Sequence, residues 1–248
     1  MEPSFNPFSL HGKTILVTGA SSGIGRAIAE ACAKMGATIV LNGRNADRLK
    51  SVCNELAEGN HTVVMADLTD YATVSAAVEM MPKLDGVVHC AGIGHRKIAK
   101  MLEADEIDRV MSVNFKAPVM LQTELLKQKK VNKAASIIFV SSMAADSGSI
   151  GNGVYSASKG ALISYMNCLM LELAPRQIRV NAICPAMVWT DLILKDGLDE
   201  NELKKDEQNY PLKRYGKPED VANLAIYLLS DASSWMTGSS IKLTGGGR

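Results

Sequence analysis

Residues 14–36 read TILVTGASSGIGRAIAEACAKMG. The run at 14–17 is apolar and closed off by glycine, which suits a buried strand. Ala27, Ile28, Ala31 and Met35 then recur at helical spacing, and Gly36 is a stop signal. Between strand and helix lies a turn carrying Gly19, Gly23 and Gly25. Glycine lets a backbone turn tightly and approach a phosphate closely. The helix behind the turn offers N–H groups and a positive dipole end to an anion. The spacing is G-x-x-x-G-x-G rather than the commoner G-x-G-x-x-G. A glycine-rich turn that binds nothing is the rival reading, and its place directly after the first strand argues against it.

The same alternation continues outward from this unit. Apolar runs at 37–41, 61–66, 86–90, 136–140, 178–184 and 240–243 read as further strands. Helices are expected to about residue 56, over 72–81, over 106–127, from Tyr155 to about 173, and over 218–230. Pro118 interrupts the third of these and predicts a bend or a redefined start. Residues 1–12 form a short arm, and the polar stretch 197–210 a mobile helical insert. Most strands are continuous apolar runs, the mark of a parallel sheet covered on both faces. No composition break, linker or repeat divides the chain. The expectation is an α/β fold: residues 1–248 as a single doubly wound domain with a mostly or wholly parallel seven-stranded sheet. Its ligand would lie at the C-terminal ends of the strands.

Composition excludes several function classes. The 248 residues are 47% apolar and 21% charged, with a net charge of +1. That balance fits a soluble globular protein and supplies no field for nucleic acid or an acidic membrane. No aromatic-basic interleave supports nucleic-acid binding either. The five cysteines are odd in number, form no C-x-x-C pair and show no zinc-site spacing, so no metal is expected. They read as reduced thiols of a cytoplasmic protein. The N-terminus lacks a signal-peptide pattern, and no run of about 18 apolar residues predicts a membrane span.

A dinucleotide fold selects its cofactor at the tip of the second strand. An acid there would bind the 2′-hydroxyl of NAD. This chain has Asn42-Gly43-Arg44 instead, and an arginine can pair with a 2′-phosphate. NADP is therefore favoured over NAD, with a plain surface arginine as the alternative. Asp67, after the third strand, can accept a hydrogen bond from an adenine amino group or cap the next helix.

The stretch 141–159 reads SSMAADSGSIGNGVYSASK. Tyr155 and Lys159 are four apart and share a helical face. A nearby ammonium favours a phenolate and lowers the tyrosine pKa, which fits proton exchange with a substrate oxygen. Ser142, at a strand end, can hold that oxygen. Alone, a Y-x-x-x-K pair is common, and an ordinary helical pair is the bland reading.

The ordered set TGASSGIG, Asp67, Ala91-Gly92, Asn114, Ser142, Tyr155, Lys159 and Pro185…Thr190 resembles the short-chain dehydrogenase/reductase family over nearly the whole chain. The resemblance implies a Rossmann-like fold and hydride transfer between NADPH, at its pro-S face, and a carbonyl or alcohol. It implies Tyr155 as proton donor, Ser142 as its partner on the substrate oxygen, and Lys159 as the group that tunes Tyr155 and binds the ribose. Asn114 would anchor a water linking Lys159 to solvent. Read by itself, Asn114 is a mid-helix amide with a structural bond. The implied cofactor set is Gly19, Ser21, Ser22, Gly23, Ile24, Gly25, Arg44, Asp67, Leu68, Ala91, Gly92, Tyr155, Lys159, Pro185, Val188 and Thr190. Val188 would hold the carboxamide through its backbone, and Thr190 would reach the pyrophosphate.

Three departures from the family pattern stand out. His89-Cys90 replaces two asparagines that brace the backbone, Ala186 replaces a glycine after Pro185, and the tail ends soon after Gly247. His89 reads as a structural histidine. His95, Met143 and Met187 are substrate-wall candidates, although a loop histidine is ordinarily at the surface and methionine is usually gap-filling core. The stripe Ala157, Ala161, Leu162, Tyr165, Met166, Leu169, Met170 and Leu173 is wider than one sheet contact needs. It predicts a homotetramer or homodimer interface, against a fully buried helix in a monomer. Residues 190–215 would form a lid, rich in charge and poor in aromatics. The C-terminal half most resembles 3-oxoacyl-carrier-protein reductases, so 3-oxoacyl thioester reduction leads. Sugar, polyol or other small-ketone dehydrogenation is the alternative, and a catalytically idle NADP-binding sensor or scaffold the rival class.

Overall fold

The computed structural model describes residues 5–195 and 199–247. Residues 197 and 198, at the start of the expected insert, lie outside them. Seven strands form one sheet in the order β3-β2-β1-β4-β5-β6-β7, every neighbouring pair parallel. They are β1 Thr14–Thr18, β2 Thr38–Gly43, β3 Thr62–Met65, β4 Leu84–His89, β5 Val131–Val140, β6 Arg179–Pro185 and β7 Ser240–Leu243. The wholly parallel form of the expectation holds. The reason lies in the apolar runs, which send alternate side chains to opposite faces. Ile15 and Val17 enter a core with Ile28, Ile39, Leu41 and Leu228. Leu16, between them, enters the other with Val40, Val87, Phe139 and Leu121.

Helices α1 Gly23–Lys34, α2 Ala46–Glu55 and α9 Pro218–Leu229 contribute to the first core. Helices α3 Tyr71–Glu79, α5 Ala117–Lys127 and α6 Gly153–Leu173 contribute to the second. Strand order reverses between β1 and β4, which opens a crevice at their C-terminal ends.

The helix expected over 106–127 is not one α-helix. It comprises α4 Ala104–Met111, a π segment Ser112–Lys116, and α5, with Pro118 in the first turn of α5. Proline has no N–H, so the α-helical bond from position 118 to the Asn114 carbonyl cannot form. The wider π turn takes up the mismatch, and such bulges gather at functional sites. The strand expected over 136–140 begins earlier, at Val131, and carries Ala134 at φ 56°. There its register against β4 slips between Leu84 and Gly86. Two short helices, α7 Asp191–Lys195 and α8 Glu200–Glu207, lie within the expected lid. No described helix is long and apolar enough to cross a membrane.

Helix α6 is not buried all round. Leu162, Met166, Leu169 and Leu173 face the sheet, while Ala157, Cys168 and Leu171 are exposed.

Candidate active site

The glycine turn sits at the end of β1 under tight steric constraint. A Cβ on Gly19 would lie 3.0 Å from the Ala91 Cα, and one on Gly25 would run into the Gly19 carbonyl. Gly23 has φ +53°, and a Cβ there would lie 3.3 Å from the Thr190 methyl. The turn thus touches the loop after β4 and the loop after β6 at once. Ser21 and Ile24 are half-buried in it. Ser22 precedes α1 as an exposed N-cap, yet no side chain caps that helix and no acid occupies its first turn. Its leading N–H groups remain for an anion. The cradle and the bare helix start fit a dinucleotide pyrophosphate.

Thr18, the last residue of β1, was not singled out by the sequence. Its Oγ1 accepts from the N–H groups of Cys90 (3.0 Å) and Ala91 (3.1 Å) and lies 3.4 Å from the Val88 carbonyl as donor. It braces the loop in a chain that has His89-Cys90 where the family has asparagines. A hydroxyl directly before the first glycine was the available signal. His89 itself is buried, stacks on Phe139 at 4.7 Å and pairs through Nε2 with Gln122 Oε1 at 3.0 Å. Burial pushes its pKa down to about 4, so it stays neutral, as a structural histidine should. Burial pushes the Cys90 thiol up to about 12, which makes it inert. Ala186 is not among the residues with positive φ, so alanine fits the turn after Pro185 without strain.

The tip of β2 divides its work. Asn42 is buried and donates to the Val64 carbonyl at 3.0 Å, while its own carbonyl accepts from Ala20 N at 3.0 Å. Arg44 points outward, its side chain 72% exposed and 3.8 Å from Asp67 Oδ2. That long pair leaves the guanidinium available for a phosphate. Asp67 does not cap α3, because Asp70 accepts from Ala72 N in that role. Asp67 Oδ1 instead accepts from the Thr69 N–H and hydroxyl, and these bonds hold its carboxyl below the usual range. Leu68 beside it is buried.

Tyr155, Lys159, Asn114 and Gly92 converge on the crevice. Lys159 is buried on the first turns of α6, its Nζ 3.0 Å from the Val140 carbonyl and 5.8 Å from the Tyr155 ring centre. Burial pulls its pKa down to about 8. A Cβ on Gly92 would lie 3.4 Å from that Nζ and 3.2 Å from Asn114 Oδ1. Asn114 is fully buried in the π segment. Its amide donates to the Ile93 carbonyl and to Ser158 Oγ and accepts from Ile93 N. Its side chain therefore clamps the loop after β4, as the reading of the residue by itself expected. Ser158 passes the link on by donating to the Tyr155 carbonyl at 2.7 Å. Ser141 Oγ donates to the Lys159 carbonyl. Ser142 Oγ accepts from Ala144 N at 3.1 Å, a bond that does not use its own proton.

The substrate-wall candidates fall in different places. Met143 opens the 3-10 turn after Ser142, and Met187 lies in the loop after β6, where its carbonyl accepts from Gly216 N. His95 is not a surface histidine. It is 8% exposed, its ring nitrogens have no hydrogen-bond partner among the described residues, and Nε2 stands 4.0 Å from Glu106 Oε1. Lys97 N donates to the Gly151 carbonyl at 2.8 Å, which seats this loop against the approach to Tyr155. The two aromatics of the lid stretch, Tyr210 and Tyr215, pack together, and Tyr215 also meets Trp189 just outside it. The tail turns inward, with Gly246 and Gly247 against Pro211 and Tyr210. Among the described residues, no group of three or more His, Cys, Asp or Glu side chains could hold a metal.

Comparison with known proteins decides the family. The family profile described as enoyl-(acyl carrier protein) reductase matches residues 19–247. The chain belongs to the short-chain dehydrogenase/reductase family. As such it is an oxidoreductase. It is 39% identical over 237 residues to a 3-oxoacyl-[acyl-carrier-protein] reductase of Rickettsia felis, covering 96% of this chain and 97% of the relative. It superposes with TM-score 0.87 and 33% identity on a Beutenbergia cavernae protein assigned as an NAD(P)-dependent gluconate 5-dehydrogenase, solved with NADP at low occupancy. That match covers 97% of this chain and 98% of the other. A 7α-hydroxysteroid dehydrogenase complexed with NADH and a 7-oxo bile acid matches with TM-score 0.90 and 30% identity, covering 98% of each chain.

Proposed function

We propose that this chain is an NADP-dependent reductase of 3-oxoacyl thioesters. The placement of Lys159 beside Tyr155 and against Gly92, whose neighbour Ala91 meets the glycine turn, supports the chemistry. The full-length likeness to the Rickettsia felis reductase supports the substrate class. NADPH supplies the hydride. The glycine turn and the start of α1 hold its pyrophosphate with Thr190, Arg44 takes the 2′-phosphate, and Asp67 with Leu68 borders the adenine. Ala91 and Gly92 admit the ribose, Pro185 shapes the turn, and Val188 meets the carboxamide.

Ser142 donates its hydroxyl proton to the substrate carbonyl oxygen, and Tyr155 protonates that oxygen as the bond is reduced. Lys159, buried and close to the ring, stabilises the phenolate left behind. Because the Asn114 side chain is committed to Ile93, its carbonyl, spared a bond from Pro118, is the group that anchors a relay water. His95, Met143 and Met187 line the substrate wall under a lid of residues 190–215, in a single cytoplasmic domain. The exposed face of α6, with Ala157 and Leu171, pairs across a twofold axis in a homodimer or homotetramer.

The test is NADPH oxidation against a panel of 3-oxoacyl thioesters, ketoses, diketones and steroid ketones. Thioesters should give the highest kcat/KM, with NADPH bound more tightly than NADH. Faster turnover of a sugar acid would favour the gluconate-type reading, which the Beutenbergia cavernae superposition supports. Silence across the panel with NADPH still bound would favour the scaffold.

A further inference from the structure

Two strips of chain meet beside the crevice outside the sheet. One is the loop after β6, through Met187, Val188, Trp189 and Thr190. The other is the approach to α9 at Tyr215 and Gly216. Val188 and Gly216 form a parallel bridge, Trp189 N donates to the Gly216 carbonyl at 3.0 Å, and Gly216 N donates to the Met187 carbonyl at 2.9 Å.

Glu207, the last residue of α8, sits across this join. Its Oε1 accepts from the Trp189 indole N–H and from the Tyr215 N–H, the latter at 3.2 Å. Asp206 accepts from the Tyr215 hydroxyl at 2.7 Å. Tyr215 is 1% exposed, with ring centres 5.3 Å from Trp189 and 5.1 Å from Tyr210. One carboxylate oxygen thus ties α8 to both strips. The residue after Trp189 is Thr190, whose methyl faces Gly23 of the glycine turn. The indole shares a short stretch of backbone with Val188, bridged to Gly216 and packed in the first core, and with Thr190, so where the indole is seated bears on both neighbours.

We propose that Glu207 is a positioning residue for the cofactor: by holding the Trp189 indole and the Tyr215 amide on one oxygen, it couples the lid helix α8 to cofactor affinity. This rests on the reading that Val188 and Thr190 meet the cofactor. A carboxylate is not required for the task. An amide oxygen accepts the same two bonds, whereas a methyl accepts neither.

The experiment is equilibrium NADPH titration of Glu207→Ala, Trp189→Phe, the double variant and Glu207→Gln. Trp189→Phe should weaken binding about three- to tenfold, the effect of one lost hydrogen bond, and Glu207→Ala, which loses two, by at least as much. The double variant should bind no worse than Glu207→Ala within about twofold, because that variant has already lost the Trp189 contact. Glu207→Gln should restore affinity, and kcat at saturating NADPH should change less than KM. In a Trp235→Phe background Trp189 is the sole indole, and Glu207→Ala should shift its emission to the red without cofactor present. Multiplicative losses in the double variant, wild-type affinity in Glu207→Ala, or failure of Glu207→Gln to rescue would each overturn the coupling. If Glu207→Ala does not fold, Trp189→Phe with unchanged melting and unchanged NADPH affinity overturns it instead. Wild-type protein that does not bind NADPH sinks the cofactor reading itself, while wild-type binding with indifferent variants sinks only the role of Glu207.

Discussion

Lys159 is the residue whose environment matters most for the chemistry. Burial brings its pKa to about 8 instead of 10.5, so its charge disappears in the mildly alkaline range. Below about pH 8 the ammonium sits beside Tyr155, and above it that field is gone. The kcat/KM for reduction should therefore fall above about pH 8 with unit slope, since this parameter reports the free enzyme. A profile flat to pH 10 would contradict the role given to Lys159. Tyr155→Phe keeps the ring and removes the proton. It should lower kcat by about 10²- to 10⁴-fold, the usual worth of a general acid, with NADPH binding intact by fluorescence titration. Unchanged turnover in that variant would defeat the mechanism.

At the scale of elements, the site depends on how two segments are bent. The π segment places Asn114 so that three hydrogen bonds from one side chain reach Ile93 and Ser158. Asn114→Ala would leave the half-buried N–H and carbonyl of Ile93 without this partner and should cost about 1–3 kcal/mol, read from the urea midpoint. The β1–α1 turn is limited by contact rather than by φ at Gly25, whose Cβ would strike the Gly19 carbonyl. Gly25→Ala should lose NADPH affinity, whereas Gly153→Ala, with no atom within 4 Å of the added methyl, should not. Equal behaviour of the two alanines would show that the turn has slack that the packing does not reveal.

For the whole molecule, the buried His89 links stability to pH. Its folded pKa, near 4, lies below the ordinary 6.5. Between those values the unfolded chain binds a proton that the folded chain does not, so stability rises with pH across the window and falls as pH drops through it. The full effect is about 3 kcal/mol. In His89→Asn, the loss of melting temperature between pH 6.5 and 4 should shrink relative to wild type. An identical slope would assign the acid sensitivity to other groups. The proposed pairing of α6 belongs to the same scale, and light scattering on the intact protein should give a dimer or tetramer mass.

Local pattern was enough to read the sheet, its parallel sense, the glycine turn and the Tyr155–Lys159 pair. Apolar runs report burial on two faces, and a helical spacing of four reports a shared face, so no long-range information is needed for either. The π turn at Asn114 was legible only as a disturbance at Pro118, because whether a helix bends, restarts or widens depends on what packs against it. The bracing by Thr18 was marked only by a hydroxyl before the first glycine, and the burial of His95 and the Glu207–Trp189–Tyr215 join carried no legible mark. Each brings together residues far apart in the chain, and proximity of that kind is a property of the folded sheet and its loops. The residue types proposed for the chemistry are thus a matter of sequence. Which loops those residues hold in place, and the low pKa that burial imposes on Lys159, were decided by tertiary structure.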